Sequence, residues 1–194
     1  MMYSTPASGT LIKGASIRAR LKFLEREYGS DQLDLILVSL SEEDQSTIRI
    51  GVLPSTWYPL ELSGRLDEAV AQVLSPDAPS RIFRLLGKAS AENNLQSFHR
   101  IFLRGQGPHD VLESFPSVRR TYYSDGSAAY TPDGEQSGTL CVSGASSHTR
   151  SDCESTAAYF EKAIELMGGR SARTELKRCR DFGDASCEFH CQWQ

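Results

Sequence analysis

Three cysteines near the C-terminal end have the residue type and spacing of a metal site. Cys179 and Cys187 flank a predicted hairpin turn, so their side chains can meet at its end. Cys153 falls near the start of the preceding predicted helix, where free N–H groups and the helix dipole favour the thiolate that a metal binds. Zinc takes four ligands in a tetrahedron, and thiolate sulfur is frequent among them. The three cysteines are therefore candidate zinc ligands.

The fourth ligand has several candidates. Glu175 lies on the same strand face as Cys179 if the strand is regular, and His190 and Cys191 are the alternatives. A competing interpretation is that the cysteines are small buried thiols of a reduced core. Spacing alone leaves both interpretations open.

The composition excludes several classes of protein. The chain has 194 residues and a formal charge of −4, which gives no electrostatic reason to expect nucleic acid or an anionic membrane as a partner. Residues 1–13 lack the apolar core of a signal peptide, and no apolar run is long enough to span a bilayer. We therefore expect a cytoplasmic protein without membrane insertion. In that reducing compartment its five cysteines are not expected to form structural disulfides.

Hydrophobic periodicity predicts the elements that position these cysteines. Through the first two thirds of the chain apolar residues recur at helical spacing, as in Ile17 and Leu24, with Gly29 as a stop signal. Helix character stops at Pro116. The segments Tyr122 to Pro132 and Thr139 to Val142 then read as strands around a Pro-Asp-Gly turn.

The last part of the chain returns to a helix and closes with a hairpin of two strands. Ser151 and Glu154 have the spacing of a capping box at the start of that helix. No repeat or linker separates the segments. We therefore expect a flexible N-terminus over residues 1–12 and a single domain over residues 13–194.

The stretch from Glu175 to Phe189 resembles the closing motif of 4-vinyl reductase-type domains. In that motif a cysteine is followed by Gly-Asp and a second cysteine before an aromatic strand. Relatives of these domains include the effector domains of aromatic-responsive bacterial regulators and, more distantly, TRAPP tethering subunits and the haem nitric-oxide-binding fold. Nearly the whole chain is similar to a myxobacterial paralogous family on this fold. The other matching segments are Gly14 to Gly29, Pro54–Pro59, Leu66–Ala69, Gly87–Leu95 and Gly107–His109.

The resemblance implies an α+β fold in which an N-terminal helical layer packs on a small C-terminal antiparallel sheet. It also implies a ligand cavity between the layers and often a homodimer. In the aromatic-sensing relatives three cysteines and a glutamate hold zinc, and Cys153, Cys179 and Cys187 match those cysteine positions. The glutamate position aligns instead with Leu176, one residue from Glu175, so a strand bulge would be needed to restore it. The implied structural zinc site therefore consists of Glu175 and these three cysteines.

A sensor of this kind needs an apolar cavity with a few polar contacts. The candidate lining residues are Trp57, Tyr58, Phe98, His99, Phe102 and Tyr122. The alternative interpretation is that these side chains fill the core.

The haem-binding relatives hold iron through a histidine, for which His99 and His109 are the candidates. They also use a Tyr-x-Ser-x-Arg triad, which the nearest run, Tyr123 to Ser127, does not reproduce. We therefore expect zinc, and we do not expect haem, as a cofactor.

No nucleophile elbow, phosphate-binding loop or zinc-protease motif occurs in the sequence. We therefore expect a non-enzymatic regulatory domain that responds to a small hydrophobic or aromatic ligand and acts on a partner protein in trans, as a homodimer. The alternative is a ligand-free protein-interaction scaffold in a signalling or trafficking complex. A small molecule retained through purification would distinguish the first hypothesis from the second.

Overall fold

The computed structural model describes residues 9–96 and 107–194. Within these two stretches the chain forms α-helices and β-strands in the following order. They are β1 (Leu11–Lys13), α1 (Gly14–Tyr28), α2 (Ser30–Val38), α3 (Glu42–Gly51), β2 (Trp57–Pro59), α4 (Leu60–Leu74), α5 (Pro79–Gln96), α6 (Pro108–Tyr122), β3 (Ser127–Gly134), β4 (Ser137–Ser143), α7 (Arg150–Leu166), β5 (Arg173–Arg178) and β6 (Ser186–Gln192).

Helices α1 to α5 form the N-terminal layer and enclose one hydrophobic core. Residues at helical spacing, such as Ile17 and Leu24 of α1, belong to this core together with Leu66 and Val70 of α4, and all four are fully buried. A short antiparallel ribbon of β1 and β2 closes the edge of this layer, with Ile12 opposite Tyr58. The one-sided apolar stripes of the sequence thus become the buried faces of these helices.

The C-terminal part contains an antiparallel sheet with the strand order β3-β4-β6-β5. Helix α7 packs on its inner face and completes a second hydrophobic core. At the centre of this core the ring of Phe160 meets Phe115 of α6 and Phe189 of β6 edge to face, at centroid distances of 4.6 and 5.5 Å. The predicted α+β architecture, a helical layer on a C-terminal antiparallel sheet, is confirmed.

Helices α5 and α7 approach each other so closely that their backbones are in contact. A Cβ atom added to Gly87 of α5 would overlap the carbonyl oxygen of Ser155 in α7. Glycine therefore sets the distance between the two helices, and a larger residue at this position would separate them.

Helix α6 differs from its sequence prediction. Pro116 does not end the helix, which continues to Tyr122. Proline removes one backbone hydrogen bond, but Phe115, the residue before it, packs edge to face on Phe160 at 4.6 Å and helps to hold the helix in place. Tyr122 is accordingly the last residue of a helix and not the first of a strand, and β3 begins only at Ser127.

The start of α7 also differs from its prediction. The helix begins at Arg150, and the N-cap is Thr149, whose hydroxyl accepts a hydrogen bond from the Asp152 amide at 3.1 Å. The Ser151 hydroxyl instead lies 3.2 Å from that of Thr149. A Thr-x-x-Asp pair therefore caps the helix in place of the Ser-x-x-Glu pair.

The expected flexible segment, residues 1–12, falls partly outside the described residues. Its last two residues, Leu11 and Ile12, belong to β1 because Ile12 is buried and pairs with Tyr58. No helix in the described parts of the chain combines the length and the apolar character needed to cross a membrane.

We expect Gly87→Ala to destabilise the protein. In a free helix this change would be favourable by about 1 kcal/mol, but here the new methyl must displace a backbone carbonyl, which costs roughly 1–3 kcal/mol. Chemical denaturation would measure the loss. A Gly87→Ala variant at least as stable as the wild type would show that the α5–α7 contact is not tight.

Candidate functional site

The three candidate cysteines come together in the structure. The sulfur atoms of Cys153, Cys179 and Cys187 all lie within 4.8 Å of one another, and those of Cys153 and Cys187 are 3.5 Å apart. Each side chain is at least nine-tenths buried. A tetrahedral zinc ion with Zn–S bonds of about 2.3 Å requires sulfur atoms about 3.8 Å apart. The cluster therefore has the dimensions of three corners of such a site.

Each cysteine is placed by a separate local structure. Cys153 lies in the first turn of α7, behind the Thr149 cap. Cys187 begins the buried face of β6. Cys179 follows β5 in a turn that Asp184 organises, because the Asp184 carboxylate accepts a hydrogen bond from the Cys179 amide at 2.9 Å. Gly183 adopts a left-handed conformation (φ +93°) in this turn. The Gly-Asp pair of the motif thus shapes the loop that returns the chain to Cys187.

Hydrogen bonding between the thiols separates their proton affinities. The Cys153 thiol donates to Cys187, which lowers the pKa of Cys187 to about 6 and raises that of Cys153. Burial raises the pKa of Cys179. In the metal-free cluster Cys187 therefore loses its proton more readily than Cys153 or Cys179. A bound cation would favour loss of the remaining protons, because it stabilises the thiolate form.

Glu175 is not brought to this cluster. It lies opposite His190, on the sheet face that points away from the core. Its side chain is 67% exposed and pairs with Lys177. The strand is not regular between Leu176, opposite Phe189, and Arg178, opposite Glu188. This β-bulge reverses the alternation, so Cys179 faces inward although Glu175 faces outward.

The other proposed fourth ligands also lie elsewhere. His190 is on the outer face of β6, where its Nδ1 atom is 3.3 Å from the Asp133 carboxylate. Cys191 is buried beside Thr174, toward the opposite end of the strand from Cys187. On the open side of the cluster is a cavity of about 30 Å³ that His148 and Asp152 line together with Cys153 and Cys187. Neither His148 nor Asp152 was identified from the sequence, because the loop before α7 has no pattern that shows its direction.

A second cavity, of about 70 Å³, lies among α1, α5, α6 and α7. Tyr122, a predicted ligand contact, lines it. Trp57 and Tyr58 do not. Trp57 is at the surface with the Lys13 ammonium 3.8 Å from its ring centroid, and the Tyr58 hydroxyl accepts a hydrogen bond from the Leu53 amide. The other predicted contacts, Phe98, His99 and Phe102, lie outside the described residues.

Buried charges surround this interhelical cavity. The Arg20 guanidinium donates a hydrogen bond to the Asp67 carboxylate at 2.8 Å, and both side chains are buried. Burial raises the pKa of Asp67 to about 6, although Arg20 opposes this rise. The Tyr123 hydroxyl donates to Asp152 at 2.8 Å, and the Arg119 guanidinium stacks on the Tyr123 ring. These charges were not identified from the sequence, although Ile17 and Leu24 lie three positions before and four positions after Arg20 on the same face of α1.

Solved structures share this fold, whereas neither a protein-family model nor a curated protein matches the chain. An H-NOX protein from S. oneidensis in the Fe(II)NO ligation state is 14% identical, with a TM-score of 0.75 over 94% of this chain and 99% of that one. The Fe(II) unliganded H-NOX protein from K. algicida is 15% identical, with a TM-score of 0.73 over 94% of this chain and 97% of that one. This protein therefore has the H-NOX (haem nitric-oxide-binding) fold.

The expectation that haem is not a cofactor is overturned by this comparison. The structures that share the fold are those of iron-containing and haem proteins, and one of them concerns the haem redox potential under porphyrin distortion. The missing Tyr-x-Ser-x-Arg pattern did not justify the expectation that haem is absent. The fold is retained here at 14% identity, and short motifs need not persist at that level of identity.

Among the described residues, no histidine lines the interhelical cavity, and histidine is one of the residues that hold haem iron. The His109 ring uses both nitrogens, Nδ1 with the Tyr130 hydroxyl at 2.6 Å and Nε2 with the Glu135 carbonyl at 3.0 Å. Neither His148 nor His190 lines the interhelical cavity. A histidine ligand for haem iron would therefore have to be His99, which is outside the described residues.

Proposed function

We propose that this protein is a small-molecule sensor domain that regulates a partner protein in trans in the cytoplasm. The observation that carries the proposal is the H-NOX fold, matched over 94% of the chain. The interhelical cavity supports it, because buried charges and hydroxyls there offer specific polar contacts in an otherwise apolar region. We propose that this role is one of binding and not of catalysis.

The proposal includes a structural zinc ion at Cys153, Cys179 and Cys187, like the site of the 4-vinyl reductase-type relatives. The ion would tie the start of α7 to the terminal hairpin, two elements that carry the second core. We propose that the fourth ligand comes from the side of the 30 Å³ cavity, as His148, Asp152 or a water molecule. The cavity has room for about two waters.

A second candidate function is a protein-interaction scaffold, which the small size of the interhelical cavity favours. Its volume of about 70 Å³ is below the roughly 300–1,000 Å³ of typical small-molecule pockets. In a scaffold, the cavity would stay empty or contain only water while the surface binds a partner.

Native mass spectrometry of protein purified from its host tests the sensor against the scaffold. We expect a mass increment for a retained organic molecule, lost on denaturation, because the cavity holds buried charges that an apolar core does not need. A homodimer with metal and no organic increment, still able to bind its partner, would support the scaffold.

Metal analysis tests the zinc site. We expect about one zinc ion per chain in the wild type and its loss in Cys179→Ser, together with a fall in unfolding temperature, because metal binding is coupled to folding. Cys141→Ser is the matched control, since Cys141 is on β4 away from the cluster. Glu175→Gln should also retain zinc. Full thermal stability of the chelated wild type would rule out a structural metal.

Reconstitution with haem tests whether the chain shares the cofactor of its fold neighbours. A cleft of about 430 Å³ between α1 and α5 has the volume of a small-molecule site. Lys22 and Arg26 line this cleft and would pair with the propionate carboxylates of haem. We expect the Soret absorption of the reconstituted protein to be lost in His99→Ala. It should be kept in His109→Ala, because both nitrogens of His109 are already engaged. The reverse pattern would place the iron at α6.

A further inference from the structure

Arg119 is a buried cation with an unused hydrogen-bond donor. Its residue is 6% exposed, and its Nε atom has no hydrogen-bond partner. The guanidinium otherwise makes a long contact from Nη2 to the Asp125 carbonyl, at 3.5 Å, and stacks 4.1 Å from the Tyr123 ring centroid. Among the described residues, no carboxylate oxygen lies within 4.0 Å of it.

A second arginine that lines the same cavity has a partner for its charge. Arg20 is equally buried, but its guanidinium is paired with Asp67 at 2.8 Å. Arginine remains charged at any physiological pH, so Arg119 cannot reduce the cost of burial by releasing a proton. An unpaired buried charge and an unused donor are both unfavourable. The two arginines therefore differ in that one has its anion within the chain and the other does not.

The nearby carboxylates have other partners. Asp152 lines the cavity but accepts the Tyr123 hydroxyl at 2.8 Å. Asp125 holds Ser146 through its Oδ2 atom, while its Oδ1 atom is buried without a partner. After a side-chain rotation, Asp125 is thus the internal carboxylate that could compete with a bound anion for Arg119.

We infer that Arg119 binds the carboxylate of a small organic acid in the interhelical cavity. The volume of about 70 Å³ has room for about five water molecules, which suits an acid of roughly four to six non-hydrogen atoms. The carboxylate would accept hydrogen bonds from the guanidinium, the group best shaped for it. The inference deepens the proposed sensor function, on which its regulatory meaning rests, by naming the class of ligand.

The remaining lining favours an organic acid over an inorganic anion. Phe115 and Val118 of α6 supply apolar surface on the same helix as Arg119, and the Tyr122 and Tyr159 rings add to it. Ser90 and Thr156 contribute hydroxyl groups that can contact a keto or hydroxy substituent. Nitrate or phosphate would leave the apolar side without contacts.

Calorimetric titration with propionate, lactate and pyruvate tests the inference on the intact chain. We expect saturable binding of at least one acid, with a dissociation constant on the order of 1 mM or below, and none for lactamide, the neutral analogue of lactate. Arg119→Met should weaken binding by about tenfold to a hundredfold, the range for a charge-assisted hydrogen bond. Arg178→Met is the matched control, because the Arg178 side chain is 63% exposed and lies on β5, outside the lining of the cavity.

Two further variants test the site even if Arg119→Met does not fold. Ser90→Leu should abolish binding by filling the cavity while Arg119 stays in place. Asp125→Asn should leave binding equal or tighter, since it removes the internal competitor. Without ligand, we expect Arg119→Met to unfold at the same temperature as the wild type or higher, because it removes an unpaired charge.

The outcomes separate this inference from the sensor function. Absence of binding by every acid, or equal binding by Arg119→Met, would overturn the carboxylate site, as would a preference for nitrate or phosphate. Binding that depends on Arg119 supports the site, and hydrogen exchange then reports on the function. Slower exchange at surface amides distant from the cavity would support sensing. Binding without any such change would leave the site intact and count against the proposed sensor function.

Discussion

Backbone contact between α5 and α7 is the constraint on which the rest of the second core depends. Gly87 lets the α5 backbone meet the Ser155 carbonyl, and this contact fixes how deeply α7 lies between the helical layer and the sheet. From that depth Cys153 reaches the hairpin thiols and Phe160 reaches Phe189. Asp152 and Thr156, in the first turns of α7, line both the cavity beside the thiol cluster and the cavity around Arg119, so a shift of α7 would alter both.

Residue positions could be predicted from the sequence where they depend on a single helix or on a short turn. Cys179 and Cys187 flank one hairpin, so their meeting could be predicted from spacing, whereas the place of Cys153 beside them was implied by the resemblance to the 4-vinyl reductase-type motif. The position of Glu175 could not, because a bulge of one residue reverses the strand face and Leu176 to Arg178 carry no pattern that identifies it.

The burial of the Arg119 charge could not be predicted from the sequence for a different reason. Arg119 lies one turn beyond Phe115, and Pro116 between them favoured ending the helix. Only the enclosure of α6 by α1, α5 and α7 makes this residue internal. A helical periodicity shows which face is apolar, but it does not show which polar residue on the rim of that face another helix will cover. The interhelical cavity and its charges are therefore properties of the tertiary structure.

Both outer strands of the sheet are poor templates for pairing with another chain. The free edge of β5 is interrupted by the bulge at Lys177 and lined with basic side chains, and β3 carries Pro132 beside its own register shift. Such features prevent strand addition and fibrillar association. Extension of the sheet from one protomer into a partner is therefore disfavoured at both of its edges.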